Sequence, residues 1–206
     1  MSSLLINGPA GQLEVLLEQP DEVLDNAPIA IICHPHPLYG GTMQNKVVHI
    51  IAKACLGLGM PAIRFNFRGV GKSEGHFEHG LGEQQDLATV VEWARKQFPS
   101  HPVWLAGFSF GSFVAYKSFN QVKAERLLLV APPVGLFEFQ PMEKIDIPWA
   151  VIQGKQDEIT PPESVEEWVK SQKTQPVFYY LDDVSHFFHG KLIILREIVA
   201  DIWNNR

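Results

Sequence analysis

The chain is expected to fold as an α/β protein, a mostly parallel central sheet flanked by helices on both faces. Two patterns in its 206 residues predict this. Short apolar, β-branched runs recur along the chain, as strands buried on both faces require. Between them, apolar residues recur at helical spacing. Strands that alternate with helices are joined by crossovers, which makes neighbouring strands parallel. Hydrophobic residues make up 46% and charged residues 19%, the balance of a globular protein. The length suits one sizeable core, so residues 1–206 are read as a single domain.

The elements follow in order. Residues 4–6 and 13–19 read as strands, with a turn signal at Asn7-Gly8-Pro9 between them. Residues 29–33 form a short apolar strand. After a loop rich in glycine and proline, Val47, Val48, Ile50, Ile51, Ala54, Cys55 and Leu58 mark a helix, ended by Gly59 and Pro61. Residues 62–65 are a strand, and Leu87, Val90, Val91 and Ala94 mark the next helix. Residues 103–107 are a strand that runs into the helix bearing residues 114–119. Strands over 126–131 and 149–153 come next, then a helix over 163–173 and a last strand over 177–181. Leu192, Leu195, Ile198, Val199 and Ile202 place the closing helix. In such sheets ligands bind beyond the carboxyl ends of the strands. The chemistry is therefore expected in loops that directly follow strands.

Composition excludes several classes. The net charge is −6 and no basic run occurs, so nucleic acid is not an expected partner. No segment has the roughly 18 consecutive apolar residues that would span a bilayer, so no membrane partner is expected either. Residues 1–10 lack the basic start and apolar stretch of a signal peptide. Cys33 ends an apolar strand and Cys55 sits in a helical pattern. Two buried, reduced thiols fit this placement better than a disulfide, and they suggest a reducing, cytoplasmic compartment. Oligomeric state is not legible.

Gly107-Phe108-Ser109-Phe110-Gly111 lies between an apolar strand and a helix. A G-x-S-x-G turn in that setting holds its serine in a strained strand-to-helix bend with the hydroxyl exposed. Flanking glycines remove side chains that would clash as the helix packs back. The helix start places free N–H groups, that of Phe110 first, near a developing oxyanion. A serine that merely caps the following helix is the competing reading.

A serine nucleophile needs a general base, and the base needs an orienting acid. Asp157 lies in the loop after strand 149–153, and His186 in the loop after strand 177–181. Glu138, Asp182 and Asp183 are rival acids, and Asp157 could be only a turn former. His189 is the rival base, although its place before Gly190 at the start of the last helix suits a solvent role. His76, His79 and His101 sit in polar or turn-like stretches and are expected at the surface.

The order Ser109, Asp157, His186 resembles that of the alpha/beta-hydrolase family. The resemblance rests on the Ser109 turn, the Gly154-Lys155-Gln156-Asp157 turn, the His186 loop, His34-Pro35-His36-Pro37 and Phe65-Asn66-Phe67-Arg68-Gly69. It covers nearly the whole chain. More narrowly, the chain is similar to small lidless esterases built like dienelactone hydrolase. The resemblance implies hydrolysis of small carboxylic esters or thioesters through an acyl-enzyme, with no cofactor and no metal, on a small-molecule acyl substrate. It also implies that the loop after residues 29–33 supplies a second oxyanion N–H. Pro35 and Pro37 have none, which leaves His36 or Leu38. The departure from the family's His-Gly-x pattern leaves the choice between them open.

His34-x-His36 admits a metal-dependent hydrolase reading, since two histidines at a strand end can bind zinc. No further ligands follow at a recognisable spacing, and His34 is better read as packing beneath the site. A non-catalytic binding protein on the same fold and an acyl transferase are the other readings. Tyr39, Phe108, Phe110, Leu136, Phe137, Phe139, Phe187 and Phe188 lie in or near strand-end loops and make an apolar pocket plausible, with core packing the rival role. The connection over residues 132–148 carries Pro132, Pro133, Pro141 and Pro148. It is too short and too rich in proline for a helical cap.

Overall fold

The computed structural model describes residues 3–22, 26–140 and 144–204. Pro141 lies outside the described residues. Eight strands form one sheet: β1 (Leu4–Gly8), β2 (Gly11–Glu18), β3 (Ile29–Cys33), β4 (Ala62–Phe65), β5 (Val103–Phe108), β6 (Arg126–Val130), β7 (Trp149–Gly154) and β8 (Val177–Leu181). Their order is β1-β2-β4-β3-β5-β6-β7-β8. The pairings from β4 through β8 are parallel. The β1–β2 hairpin and its junction with β4 are antiparallel. The hairpin turns later than its sequence signal: Asn7 and Gly8 stay in β1, and Gly8 pairs with Gly11. Pro9 and Ala10 make the turn, because proline presets the backbone angle that a turn's first central position needs.

Five α-helices complete the layers: α1 (Lys46–Gly57), α2 (Leu81–Gln97), α3 (Phe110–Ser118), α4 (Pro162–Ser171) and α5 (Leu192–Asn204). Alternate residues of the central strands serve opposite faces, as the period of two demands. Ile29, Ile31, Cys33, Leu105, Leu127, Leu129 and Val151 pack against α2, α3 and α4. Ala30, Ile32, Ala106, Leu128, Val130, Ala150 and Ile152 pack against α1 and α5. Strands covered on both sides need apolar residues at every position, which is why they read as continuous runs. Cys33 and Cys55 are buried, unpaired thiols. Among the described residues no helix is long and apolar enough to cross a membrane.

The loop after β4 is held by buried charge. The Arg68 guanidinium sits in a bidentate pair on Asp86, with Nη2 to Oδ1 at 2.8 Å, and also meets Glu78 at 3.0 Å. The Arg68 backbone N–H donates to Asp86 Oδ2 at 2.9 Å. Removing one partner of a buried pair strands the other charge and costs about 3–5 kcal/mol. Asp86→Ala is therefore expected to destabilise the fold by about 3 kcal/mol, the exposed Glu78 retaining part of the pairing. A urea midpoint equal to that of the parent chain would refute this. The same loop pins the site, because Phe67 N–H donates to His34 Nε2 at 3.0 Å.

Candidate active site

Ser109 stands between β5 and α3 with φ 52° and ψ −124°. A non-glycine residue there is strained, and such strain persists only where the surroundings impose it. The flanking glycines are the reason the bend is possible. A Cβ on Gly107 would lie 2.2 Å from the Gly111 carbonyl oxygen, and one on Gly111 would lie 2.3 Å from that of Cys33. The chain doubles back so tightly that only hydrogen fits at either position. Ser109 makes no side-chain cap bond to α3, so the capping reading fails. Its Oγ lies 3.0 Å from His186 Nε2.

His186 Nδ1 lies 2.8 Å from Asp157 Oδ2. Asp157 Oδ1 accepts from the backbone N–H groups of Ile159 at 2.9 Å and Thr160 at 2.7 Å. Burial works to raise the Asp157 pKa. The bonds from His186 and from these two N–H groups outweigh it and hold the carboxyl below its ordinary value. An ionised Asp157 accepts a hydrogen bond from Nδ1–H, and the tautomer so favoured presents Nε2 as an acceptor to Ser109.

Two contributors were not read from the sequence. Gln153, fully buried at the end of β7, donates Nε2 to Asp157 Oδ2 at 3.0 Å. Glu158 Oε2 accepts the His186 backbone N–H at 3.1 Å. A polar glutamine closing an otherwise apolar strand, just before Gly154, was the signal for the first. The rivals stand elsewhere. Asp182 pairs with Lys155, Asp183 accepts from Gln156, and Glu138 and His189 are exposed. His76 and His79 are exposed. His101 departs from the surface expectation, being half-buried with Nδ1 donating to the Ala27 carbonyl at 2.6 Å.

The loop after β3 turns over the site in a short 3-10 helix, Pro37–Tyr39. Leu38 N–H is occupied by His36 Nδ1 at 3.2 Å. The backbone N–H groups of His36 and Phe110 have no hydrogen-bond partner among the described residues. Of the two donors left open by the sequence, Leu38 N–H is engaged and His36 N–H is not. His34 is fully buried. Its Nδ1 donates to the Pro35 carbonyl at 2.6 Å, and its Nε2 takes the Phe67 N–H. Burial pushes its pKa down to about 4, so it stays neutral. With both ring nitrogens engaged, His34 has no lone pair left for a metal and ties the loop after β3 to that after β4.

A cavity of ≈ 350 Å³ opens above Ser109 and His186, walled by His36, Tyr39, Phe110, Leu136, Phe137 and Phe187. Phe108, Phe139 and Phe188 belong to the core instead. Another cavity, of ≈ 280 Å³, lies between β6, β7 and α5 and touches none of these residues.

Residues 11–140 match the family described as X-Pro dipeptidyl-peptidase (S15 family). The chain belongs to this family of alpha/beta hydrolases. This alpha/beta hydrolase is 44% identical to an alpha-beta serine hydrolase homologue from Coxiella burnetii, covering 100% of this chain and 97% of that one, with a TM-score of 0.94. It is 42% identical to XC6422 from Xanthomonas campestris, described as an a/b serine hydrolase without lid, over 98% and 93% of the two chains, with a TM-score of 0.93. It is also 33% identical to protein RP471 of Rickettsia prowazekii (strain Madrid E), over 98% of this chain and 88% of that protein.

Proposed function

We propose that this hydrolase is a serine esterase that cleaves small carboxylic esters or thioesters, with Ser109 as nucleophile, His186 as base and Asp157 as acid. The observation that carries the reading is the unbroken chain from Ser109 Oγ through His186 to Asp157, set on a strained turn beneath an apolar cavity. Ser109 Oγ attacks the acyl carbon while its proton passes to His186 Nε2. The oxyanion accepts from the Phe110 and His36 N–H groups. Collapse breaks the bond to the leaving oxygen (sulfur in a thioester), which takes the proton from His186. Water gives a proton to the same imidazole as it attacks the acyl carbon; collapse breaks the bond to Ser109 Oγ, which takes that proton back from His186, and the acid leaves. A fluorophosphonate probe tests the reading: it should label Ser109 in the parent chain, and the enzyme should hydrolyse simple acetate esters. No labelling with no ester turnover would refute it.

The family's name raises a second reading, release of X-Pro dipeptides. A dipeptidyl substrate carries a free ammonium on its acyl side, and such a cation needs an anionic partner when taken from water. Among the described residues no aspartate or glutamate lines the cavity. A neutral acyl group therefore fits better, and an X-Pro anilide should be turned over more slowly than an acetate ester.

Gln153 deepens the role of Asp157. A hydrogen bond to a charged group contributes about 1.5–3 kcal/mol. Gln153→Leu should thus lower kcat about 10- to 100-fold. KM should barely move, since Gln153 does not touch the cavity. Steady-state kinetics that showed KM rising with kcat intact would contradict this.

The described residues of the connection between β6 and β7, 132–140 and 144–148, build no cap. Among the described residues of this stretch there is no helix, and Pro133, Leu136 and Phe137 form a wall of the cavity. An open site offers little surface for a long chain. Acetate and butyrate esters should be hydrolysed faster than palmitate, with no jump in rate when substrate passes from solution to emulsion. A rate that climbed to sixteen carbons, or rose at an interface, would overturn this expectation.

A further inference from the structure

Two depressions share a border beside the catalytic loop. The cavity above Ser109 shares Asn45 and Phe187 with a second, larger groove of ≈ 560 Å³. This groove runs between the amino end of α1 and the loop that carries His186. Phe187 and Leu192 supply apolar surface in it, over the buried Val47 and Phe188, and Thr42, Gln44 and Lys46 supply polar groups. Asn45 Oδ1 accepts the Val47 N–H that caps α1, while its Nδ2 has no partner among the described residues. Hydrolysis as described above makes no use of this groove.

The direction of the reaction assigns the two spaces. His186 Nε2 gives its proton to the leaving oxygen, so the alcohol departs on the histidine side. Phe187, the next residue, forms the boundary with the second groove. The acyl carbon and its oxyanion sit by the Phe110 and His36 N–H groups, where aromatic rings crowd together. Phe110 is fully buried beneath them, and the rings left facing the cavity there are those of His36, Tyr39 and Phe137, with His36 centred 4.7 Å from Tyr39 and 6.0 Å from Phe137. Rings at such spacings and tilts present edges and faces that another ring can complete.

We propose that the substrate is a two-limbed ester: an aromatic or compact apolar acyl group in the first cavity, joined to an uncharged, hydroxyl-rich alcohol in the second groove. The inference rests on the esterase reading. The second groove combines surfaces that suit a polyol, whose C–H face covers apolar carbon while its hydroxyls meet an amide, a hydroxyl and an ammonium. Its one lysine, Lys46, is exposed, so an anion there would gain little over water.

Four esters test the proposal, pairing 3-phenylpropanoyl or acetyl groups with glucose or n-hexanol. The phenylpropanoyl glucose ester should show the highest kcat/KM, about tenfold above each ester that changes one limb. Phe137→Ala should shrink the preference for the aromatic acyl group, and Gln44→Ala the preference for glucose over hexanol. A hexyl ester as good as the glucose ester would overturn the proposal. So would an acetyl ester as good as the phenylpropanoyl one, or a 6-phosphorylated glucose ester better than its neutral parent. If the fluorophosphonate probe labels Ser109 and the four esters react alike, only the two-limbed substrate falls. If neither labelling nor ester turnover is seen, the esterase reading falls with it.

Discussion

Ser109→Ala is expected to lower kcat by about 10⁶-fold, the loss that follows removal of a nucleophile acting with its base as one unit. The fold should survive. Among the described residues the Ser109 hydroxyl bonds His186 Nε2 and no other side chain, and it makes no cap bond to α3. Alanine keeps the same Cβ at the same strained backbone, which is imposed by the close contacts of Gly107 and Gly111. Circular dichroism and the thermal midpoint should match the parent chain, while probe labelling disappears. Retention of more than about a hundredth of the activity would be far too much for a missing nucleophile. It would transfer the chemistry to another group.

His186→Ala should bring a loss of similar size, about 10⁶-fold, because an uncoupled serine hydroxyl is a weak nucleophile at neutral pH. The variant also leaves Asp157 buried without the imidazole that helps hold its carboxyl low. Some stability should go with the activity, and thermal unfolding would register it. The comparison that matters is His189→Ala. His189 is exposed and makes no hydrogen bond among the described residues, so its loss should fall far short of that at His186. The reverse ranking would place the base three residues later and dismantle the proposed relay.

Much of the fold was legible because burial on both faces leaves a plain trace. Ile29–Cys33 and Val103–Phe108 can hold only apolar or small residues, since α2–α4 cover one side and α1 and α5 the other. The helix starts were less legible. α2 begins at Leu81, six positions before its first buried leucine, Leu87. Its opening turn is set instead by Glu83, whose carboxylate accepts the Gly80 N–H at 2.7 Å. That contact carries no apolar period and so escapes a search for one.

By itself the sequence determined the layered architecture, the turn bearing Ser109 and the loops in which an acid and a base should lie. These follow from local rules: strand and helix periods, two glycines around a serine, and the placement of ligand sites beyond strand ends. Tertiary structure decided which side chains meet. Asp157 rather than Asp182, Asp183 or Glu138 reaches His186. His186 rather than His189 reaches Ser109. His36 N–H is free while Leu38 N–H is taken. Pro133, Leu136 and Phe137 wall the cavity. The reason is geometric. A hydrogen bond forms or fails within a few tenths of an ångström, and Ser109 and His186 are 77 positions apart in the chain. Their distance depends on how β5 and β8 are spaced across β6 and β7 and on how each loop leaves its strand, which no local pattern encodes.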